Sequence, residues 1–426
     1  MRKAPLKNYW WIVPLIALIA VVSVSIIGSH QDAKIQREKL AAKQKMTQMG
    51  NLPYLAGEYI ACPKDISGIL TAPLMEPKYI SQLTPLGNIN PPGHTAPVDH
   101  IYFATDFKGK IPLLAPADAT ITNIVEILQE NGSGKYILDG YVLTYVICDG
   151  LVLDFASYTE VIQPIKDLLV KESPSCKYGI VKPGHIGGPQ GQCGFQITYQ
   201  VKSGDEIGWV QAVKRGNSYD LPFEIWAANY NLPARKDVNW SYYNDNRYAH
   251  PICLFDLYAG DLKKAFYSKF GGMVVMGKEK SKVFSYVSRT IEPICGQVNQ
   301  DIVGTIQGMW FGGIYSGDSL EFQGKGVAFL HNNIDPTLGE ISIGGEVTGQ
   351  AGVITFKPTH SGKVDREPSE VKNDGSIYCY NSDQNSPNLG GKILVQLTDS
   401  HHLKVEHLAG ECGKNEAFSR PFTYQR

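Results

Sequence analysis

Short apolar runs separated by glycine turns constrain the fold of this chain more than any other feature. Between residues 112 and 230, runs rich in β-branched and aromatic residues alternate with Asp-Gly and Ser-Gly-Asp turns. The clearest runs are PLLAPADATITNI (112–124), YVLTYVICDGLVLDFASY (141–158), VKSGDEIGWV (201–210) and DLPFEIW (220–226). Runs and turns of this kind predict antiparallel strands joined by tight connections.

The same pattern returns in the C-terminal part of the chain. A Gly-Gly pair and the charged GKEKSK (277–282) mark a boundary, and seven more apolar runs follow between residues 305 and 408. Regular short strands with turn signals are typical of β-sandwiches and small barrels. The sequence therefore predicts a mainly β chain: an antiparallel β-sandwich domain over residues 51–273, with its core at 94–230, and a second all-β sandwich or barrel over residues 274–426.

The N-terminus begins differently. Residues 9–27 carry no charge and follow Arg2, Lys3 and Lys7. A run of about 20 apolar residues is long enough to cross a bilayer as a helix. We expect a transmembrane helix as membrane anchor within residues 1–30, with a cleaved signal peptide as the alternative, and a helical linker at 31–50. Either leader predicts a membrane-anchored or secreted protein whose bulk lies outside the cytoplasm.

The charge balance argues against nucleic acid as a partner. Of 40 Lys and Arg and 41 Asp and Glu, eight basic and two acidic residues fall in the first 50 positions. The remainder therefore carries a net charge of −7. A protein that neutralises phosphates needs a basic surface, and an acidic body gives no electrostatic basis for such binding.

Eight cysteines in an exported chain predict disulfide bonds. Cys176 and Cys193 bracket a loop rich in Gly and Pro that contains His185. Their spacing fits no usual zinc pattern, so we expect a disulfide that closes this loop, among at least two in the protein.

Polar and aromatic residues near position 100 form the first candidate site. His94, Asp99 and His100 lie close together just before an aromatic run. Such a cluster is either a metal site or, more commonly, a set of side chains that satisfy loop backbone groups. Alternation along a strand places Phe223 and Ile225 on one face of DLPFEIW, with Glu224 and Trp226 on the other. The candidates for ligand contact are Tyr102, Phe155 and Trp226.

In their order along the chain, the runs at 112–124, 201–210 and 220–226 resemble the lysostaphin-type (LytM-like) zinc endopeptidases of bacterial cell walls. The likeness covers about residues 94–230. It implies the duplicated hybrid motif, a β-sandwich fold, and an ancestry among enzymes that cleave peptide cross-bridges of peptidoglycan. The whole exported region is also similar to uncharacterised envelope proteins of bacteria and archaea.

The chemistry implied by this resemblance is degenerate. The family binds zinc through the His and Asp of an HxxxD motif and the second His of an HxH motif, and two further His assist the attacking water. His100 matches the first ligand, but Ala104 stands at the Asp position and Pro222 at the second His ligand. Ser157 and Asp220 stand at the assisting positions. Since neither Ala nor Pro has a donor side chain, we expect no zinc or other cofactor and no hydrolysis.

Three functions are compatible with these observations. The first is a non-catalytic envelope module that binds a cell-wall polymer or another envelope protein. The second is a zinc metalloendopeptidase whose ligands are rearranged. Its zinc ligands would be drawn from two histidines and three aspartates: His94, Asp99, His100, Asp106 and Asp220. The third is a structural spacer that holds the C-terminal domain away from the membrane.

Overall fold

The computed structural model describes residues 59–180, 189–215, 218–234, 249–276, 283–312, 325–381 and 389–426. These residues belong to one compact unit, Glu58–Arg426. Within them the chain forms 22 strands, two α-helices and three short 3₁₀ helices. The predicted mainly β class is therefore confirmed.

The transmembrane part of the predicted fold class is wrong for this structure. Within the described ranges, no helix has both the length and the apolar character that a membrane span requires. The expected span at residues 9–27 and the expected helical linker at 31–50 lie outside those ranges.

The first half of the chain builds two antiparallel sheets. Its strands are β1 (Gln82–Thr84), β2 (His100–Ala104), β3 (Lys110–Leu114), β4 (Ala119–Glu130), β5 (Tyr136–Cys148), β6 (Leu151–Tyr158), β7 (Glu160–Val161), β8 (Ser175–Ile180), β9 (Gln190–Val201), β10 (Glu206–Gln211), β11 (Val213–Arg215) and β12 (Ser218–Asn229). A nine-stranded sheet has the order β1-β2-β12-β6-β5-β4-β9-β8, with β11 paired to β12. A three-stranded sheet has the order β3-β10-β7.

The two sheets share one hydrophobic core, as in a β-sandwich. Ile111 of β3 and Val210 of β10 join Phe155 of β6 and Phe223 of β12 in a single buried cluster. The faces of β12 follow the predicted alternation, because Phe223 and Ile225 are each 1% exposed whereas Glu224 and Trp226 are half-buried. One face of the large sheet therefore packs against the small sheet, and the other face carries the polar side chains.

Short helices and a hairpin complete this first core. Helix α1 (Gln163–Leu169), helix α2 (Gly260–Tyr267) and the 3₁₀ helices Pro77–Tyr79 and Leu254–Leu257 flank the sheets. Strands β13 (Gly271–Met276) and β14 (Val283–Ser288) form a hairpin. The buried cluster extends as far as Val298. The predicted domain boundary at residues 273 and 274 stays a prediction.

The C-terminal part forms an eight-stranded antiparallel sheet with its own core. Its strands are β15 (Gly308–Phe311), β16 (Gly326–His331), β17 (Gly339–Ile343), β18 (Gly352–Phe356), β19 (Tyr378–Asn381), β20 (Lys392–Leu397), β21 (His402–Leu408) and β22 (Phe422–Gln425), with the 3₁₀ helix Pro368–Glu370 between β18 and β19. Their order is β18-β17-β16-β15-β22-β21-β20-β19. Phe356 and Tyr380 of the two edge strands meet with ring centroids 5.0 Å apart, so the sheet curls around its core as an incomplete barrel.

Four disulfides tie these elements together. They pair the eight cysteines as Cys62–Cys148, Cys176–Cys193, Cys253–Cys295 and Cys379–Cys412. The predicted bond between Cys176 and Cys193 is confirmed, and it joins residues that face each other across β8 and β9. Structural disulfides persist in oxidising compartments. The described part of the chain therefore belongs outside the cytoplasm.

Candidate functional site: the polar face of the nine-stranded sheet

A row of polar side chains crosses six strands of the large sheet. Cα partners across antiparallel strands point to the same face. The members of this row, strand by strand, are Gln196 (β9), Asn123 (β4), Thr144 (β5), Asp154 (β6), Trp226 (β12) and His100 (β2). The face that contains this row, together with Tyr102 and Glu224 beside it, is called the polar face below.

Hydrogen bonds connect neighbours along the row. The Gln196 amide donates to Asn123 Oδ1 at 3.1 Å, and the Thr144 hydroxyl donates to Asp154 Oδ1 at 2.5 Å. Thr144 and Asp154 are buried, whereas Gln196 is exposed. Buried polar groups that are hydrogen-bonded to one another hold a fixed arrangement. The middle of the row is therefore an ordered, buried set of polar groups, and the row reaches solvent at Gln196 and Trp226.

His100 is the centre of the most buried end of the row. Its Nδ1 lies 3.2 Å from Asp99 Oδ1, and its Nε2 lies 2.8 Å from the Tyr102 hydroxyl. Asp99 is 2% exposed and His100 is 3% exposed. We assign the tautomer in which Nδ1–H donates to Asp99 and Nε2 accepts from Tyr102, because a carboxylate can only accept.

The electrostatics of Tyr102 agree with this assignment. Burial raises the pKa of Tyr102 well above its ordinary value, and the nearby carboxylates of Glu224 and Asp99 raise it further. Removing the phenolic proton would place a third negative charge beside two carboxylates. Tyr102 therefore stays protonated and acts as the donor to His100.

Two carboxylate groups at this end retain capacity for a further donor. Glu224 Oε2 lies 4.0 Å from His100 Nε2, and the Glu224 side chain is 35% exposed. Asp99 Oδ2 is buried and has no hydrogen-bond partner among the described residues. A buried carboxylate oxygen without a donor is energetically costly. Asp99 Oδ2 is out of reach of solvent, whereas the Glu224 carboxylate is accessible to a ligand that brings hydroxyl or amide donors.

Aromatic rings frame the same end. The ring centroid of His100 lies 4.8 Å from that of Trp226, 4.7 Å from that of Tyr102 and 5.3 Å from that of His94. Trp226 and Tyr102 are half-buried, so part of each ring is accessible from solvent. Aromatic rings beside hydrogen-bonding groups offer an apolar platform and polar anchors together.

The predicted contact residues do not all lie on this face. Tyr102 and Trp226 do, but Phe155 is 1% exposed and packs against Tyr145 and Phe223, at 4.9 Å and 6.1 Å between ring centroids. Its strand places it opposite Asp154, on the core side of β6. Phe155 is therefore a core residue in this structure.

The positions matched to the peptidase motif converge only in part. Ala104 and Asp220 are cross-strand partners on β2 and β12. Pro222 lies in a bulge of β12, since Leu221 pairs with Phe103 and the next partner of β2 is Glu224. Pro lacks an N–H and is found in sheets at bulges and edges.

The fourth substituted position, Ser157, has an unusual backbone. It lies at the end of β6 with φ = 66°, in the left-handed region, at a point where the pairing of β5 and β6 shifts register. A non-glycine residue there is uncommon and carries some strain. The side chain is half-buried, and its hydroxyl cannot replace the imidazole of a general base at neutral pH.

The rearranged metal site is only partly assembled. His94, Asp99 and His100 lie together, but Asp106 is exposed beyond the end of β2, and the Asp220 side chain lies outside the described residues. Both ring nitrogens of His100 are hydrogen-bonded, whereas a zinc-ligating His needs one nitrogen for the metal. Among the described residues, no three His, Cys, Asp or Glu side chains are placed to hold a metal ion.

Sequence reasoning missed most of the row. Strand alternation placed Glu224 beside Trp226 but could not select Asp154, Thr144 or Asn123, because cross-strand register is set by pairing between distant segments.

Comparison with known proteins adds no further residues, since no family model, curated protein or solved structure matches the chain.

Proposed function

We propose that this exported chain is a non-catalytic envelope module that binds a cell-wall polymer, peptidoglycan, through the polar face. The observation that carries the proposal is the in-register row that ends at His100 and Trp226, with Tyr102 and Glu224 beside them. Sugars and peptides of the wall are rich in hydroxyl and amide donors. The partly exposed Glu224 carboxylate accepts from such donors, and the Trp226 ring provides a surface for the apolar face of a sugar.

The likeness of residues 94–230 to cell-wall endopeptidases supports the choice of polymer. The strand arrangement is compatible with it, because β12 lies between β2 and β6 and brings the matched positions Ala104 and Asp220 side by side. Substitution of ligand and assisting residues in a binding face leaves recognition without cleavage. The domain would then still bind peptidoglycan but no longer hydrolyse it.

The absence of catalysis is tested by metal content and hydrolysis together. We expect the purified full chain to contain no stoichiometric zinc by elemental analysis, because Ala104 and Pro222 cannot coordinate. We also expect no loss of turbidity when it is mixed with peptidoglycan sacculi. One zinc per chain, with cleavage that is lost in His100→Ala and after chelation, would establish the rearranged endopeptidase instead.

Polymer binding is tested by co-sedimentation of the full chain with purified sacculi. We expect the protein to pellet with sacculi and to be released by soluble wall fragments. Failure to pellet over a range of salt concentrations would contradict the proposal and favour a structural spacer.

A further inference from the structure

Four side chains form a compact patch at the aromatic end of the polar face. Tyr102 and Glu224 are cross-strand partners on β2 and β12, and so are His100 and Trp226. Directly opposed residues of antiparallel strands share one face of the sheet and lie side by side. The four side chains therefore mark the corners of a small quadrilateral with three rings and one carboxylate. This group is called the aromatic–carboxylate patch below.

The patch can be reached from solvent. Trp226 and Tyr102 are half-buried, and 35% of the Glu224 side chain is exposed. On the next strand, β6, the direct partner of Glu224 is Ala156. Because alanine ends in a single methyl group, this neighbour places no bulky side chain against the carboxylate. A ligand group can therefore approach Glu224 and the two rings from the same side of the sheet.

The electrostatics of the patch are negative. Among the described residues, Glu224 forms no ion pair with a Lys or Arg, and its contact with His100 Nε2 is 4.0 Å long. The buried Asp99 carboxylate lies behind the same imidazole, 3.2 Å from Nδ1. Burial raises the pKa of Tyr102, and the charges of Glu224 and Asp99 raise it further. The field of both carboxylates therefore reaches the accessible side of the patch.

Aromatic rings beside an unpaired carboxylate match a primary ammonium group better than a neutral or anionic group. The face of an aromatic ring carries partial negative charge and attracts a cation within about 6 Å of the ring centroid. A carboxylate accepts charge-assisted hydrogen bonds from N–H donors. A neutral hydroxyl can use only the carboxylate, and an anion is repelled by both components.

We propose that the aromatic–carboxylate patch binds a primary ammonium group of the wall polymer, with Glu224 as its acceptor and Trp226 and Tyr102 as its ring contacts. The inference rests on the proposed function and names the chemical group that the polar face selects. Peptidoglycan carries ammonium groups on diamino acids that are not cross-linked and on sugars that have lost their acetyl group. The protein therefore prefers wall material that is rich in such free amines.

Chemical modification of sacculi tests the charge of the bound group. Acetylation removes the charge of an amine, whereas reductive methylation keeps it. At constant ionic strength, we expect the full chain to bind untreated and methylated sacculi alike and acetylated sacculi at least about fivefold more weakly. Equal binding to acetylated and untreated sacculi would refute the ammonium inference and leave polymer binding intact. Failure to bind any sacculi would contradict the proposed function itself.

The variant Glu224→Gln locates the site. Glutamine has the same shape, and Glu224 is partly exposed, so the variant should keep the parental melting temperature. It should lose most of the preference for untreated over acetylated sacculi, because its amide no longer attracts a positive charge. Glu206→Gln, which removes an exposed carboxylate of β10, should keep that preference. A parental preference in Glu224→Gln would overturn the assignment to this patch.

Small amines test the inference without the polymer. The full chain is titrated by isothermal titration calorimetry with Nα-acetyl-lysine amide, with a glucosamine trisaccharide, and with the fully acetylated form of each. We expect saturable binding of at least one amine and none of its acetylated form, and the amine that binds identifies the peptide or the sugar as the source. The same response to each amine and its acetylated form, or no response to any of the four, would refute the inference whether or not sacculi bind.

Discussion

The buried carboxyl group of Glu340 makes the stability of the C-terminal sheet depend on pH. Glu340 lies on β17 and is 7% exposed. Burial raises its pKa to about 7, although hydrogen bonds from the side chains of Asn332 and Thr355 act in the opposite direction. Asn332 Nδ2 donates to Oε1 at 2.6 Å. The desolvation of a negative charge therefore outweighs its hydrogen bonds.

The sign of the resulting pH effect follows from linkage. In the unfolded chain Glu340 loses its proton near pH 4.5, and in the folded protein near pH 7. Its contribution to the free energy of unfolding is fully present below about pH 4.5 and is lost as the pH rises through about 7. The loss is on the order of 3 kcal/mol.

Glu340→Gln should remove this dependence. We expect the variant to be more stable than the parent protein at pH 8, and to lose less stability between pH 5 and pH 8. Urea unfolding at both pH values measures the difference, with Glu206→Gln as an exposed control. A parent protein and a Glu340→Gln variant with the same pH slope would contradict the assignment.

At the scale of the element, strand β12 shows what local sequence can predict. The alternation in DLPFEIW correctly separated Phe223 and Ile225 from Glu224 and Trp226, because successive side chains of a strand point to opposite faces. It could not predict the bulge at Pro222 or the pairing with β2 and β6. Those partners lie more than 60 residues away in sequence, and their register depends on all strands packing together.

The disulfides differ in the elements they hold. Cys176 and Cys193 are 17 residues apart and join β9 to the exposed edge strand β8. Cys253 and Cys295 are 42 residues apart and are both buried in the first core. A longer closed loop restricts the unfolded chain more. The Cys253–Cys295 disulfide should therefore contribute more to the free energy of unfolding than the Cys176–Cys193 disulfide.

Paired serine substitutions test this order. We expect replacement of Cys253 and Cys295 to lower the free energy of unfolding by about 3–4 kcal/mol. Replacement of Cys176 and Cys193 should lower it less and mainly increase hydrogen exchange in β8, because this edge strand can open without the core. Urea unfolding and hydrogen exchange report the two effects. Equal losses of stability, or the reverse order, would contradict the expectation.

Arg426, the residue after strand β22, connects that strand to the segment that precedes β15. The Arg426 guanidinium lies 4.2 Å from the ring centroid of Trp310. It donates to the carbonyls of Ile302, Thr305 and Gln307 at 2.7–2.8 Å. Trp310 is completely buried. One side chain therefore covers the ring and satisfies three backbone acceptors.

Arg426→Met should lower the free energy of unfolding by on the order of 3 kcal/mol, because carbonyls that remain buried lose their donor. Arg426→Lys should recover part of this loss, since an ammonium group is compact and cannot reach all three acceptors in the same plane. Thermal and urea unfolding measure both, with Arg420→Met as a control at an exposed neighbour. Wild-type stability in Arg426→Met would show that the contacts contribute nothing.

For the whole molecule, the sequence predicted the mainly β class and most C-terminal strands, but it did not predict how the strands are arranged in sheets. Seven apolar runs between residues 305 and 408 correspond to strands β15 to β21, but β22 was missed. The expected transmembrane helix belongs to no described element. The curl that brings Phe356 to Tyr380 arises from the summed twist of eight strands, which no local window contains.

The candidate site was likewise predicted in part from local sequence and in part only revealed by the tertiary structure. His100, Tyr102 and Trp226 were identified from residue type and alternation, and the structure brings their rings together. Strand alternation also placed Glu224 beside Trp226, whereas Asp154 and Thr144 join the polar face only through cross-strand pairing. Phe155 is aromatic, as a ligand-binding residue often is, but its side of β6 packs into the first core. Residue type identified the chemistry, and the tertiary structure decided which residues are accessible.

The most direct test of the polar face is the affinity of Trp226→Ala for sacculi. Trp226 is a half-buried ring at the aromatic end and packs against His100, so its removal should weaken binding by at least about tenfold, or about 1.4 kcal/mol. Tyr178→Ala, which removes an exposed aromatic from the far edge of the same sheet, should bind as the parent protein does. Both variants must first show parental melting temperatures. Equal loss in the two variants, or parental affinity in Trp226→Ala, would contradict binding at the polar face.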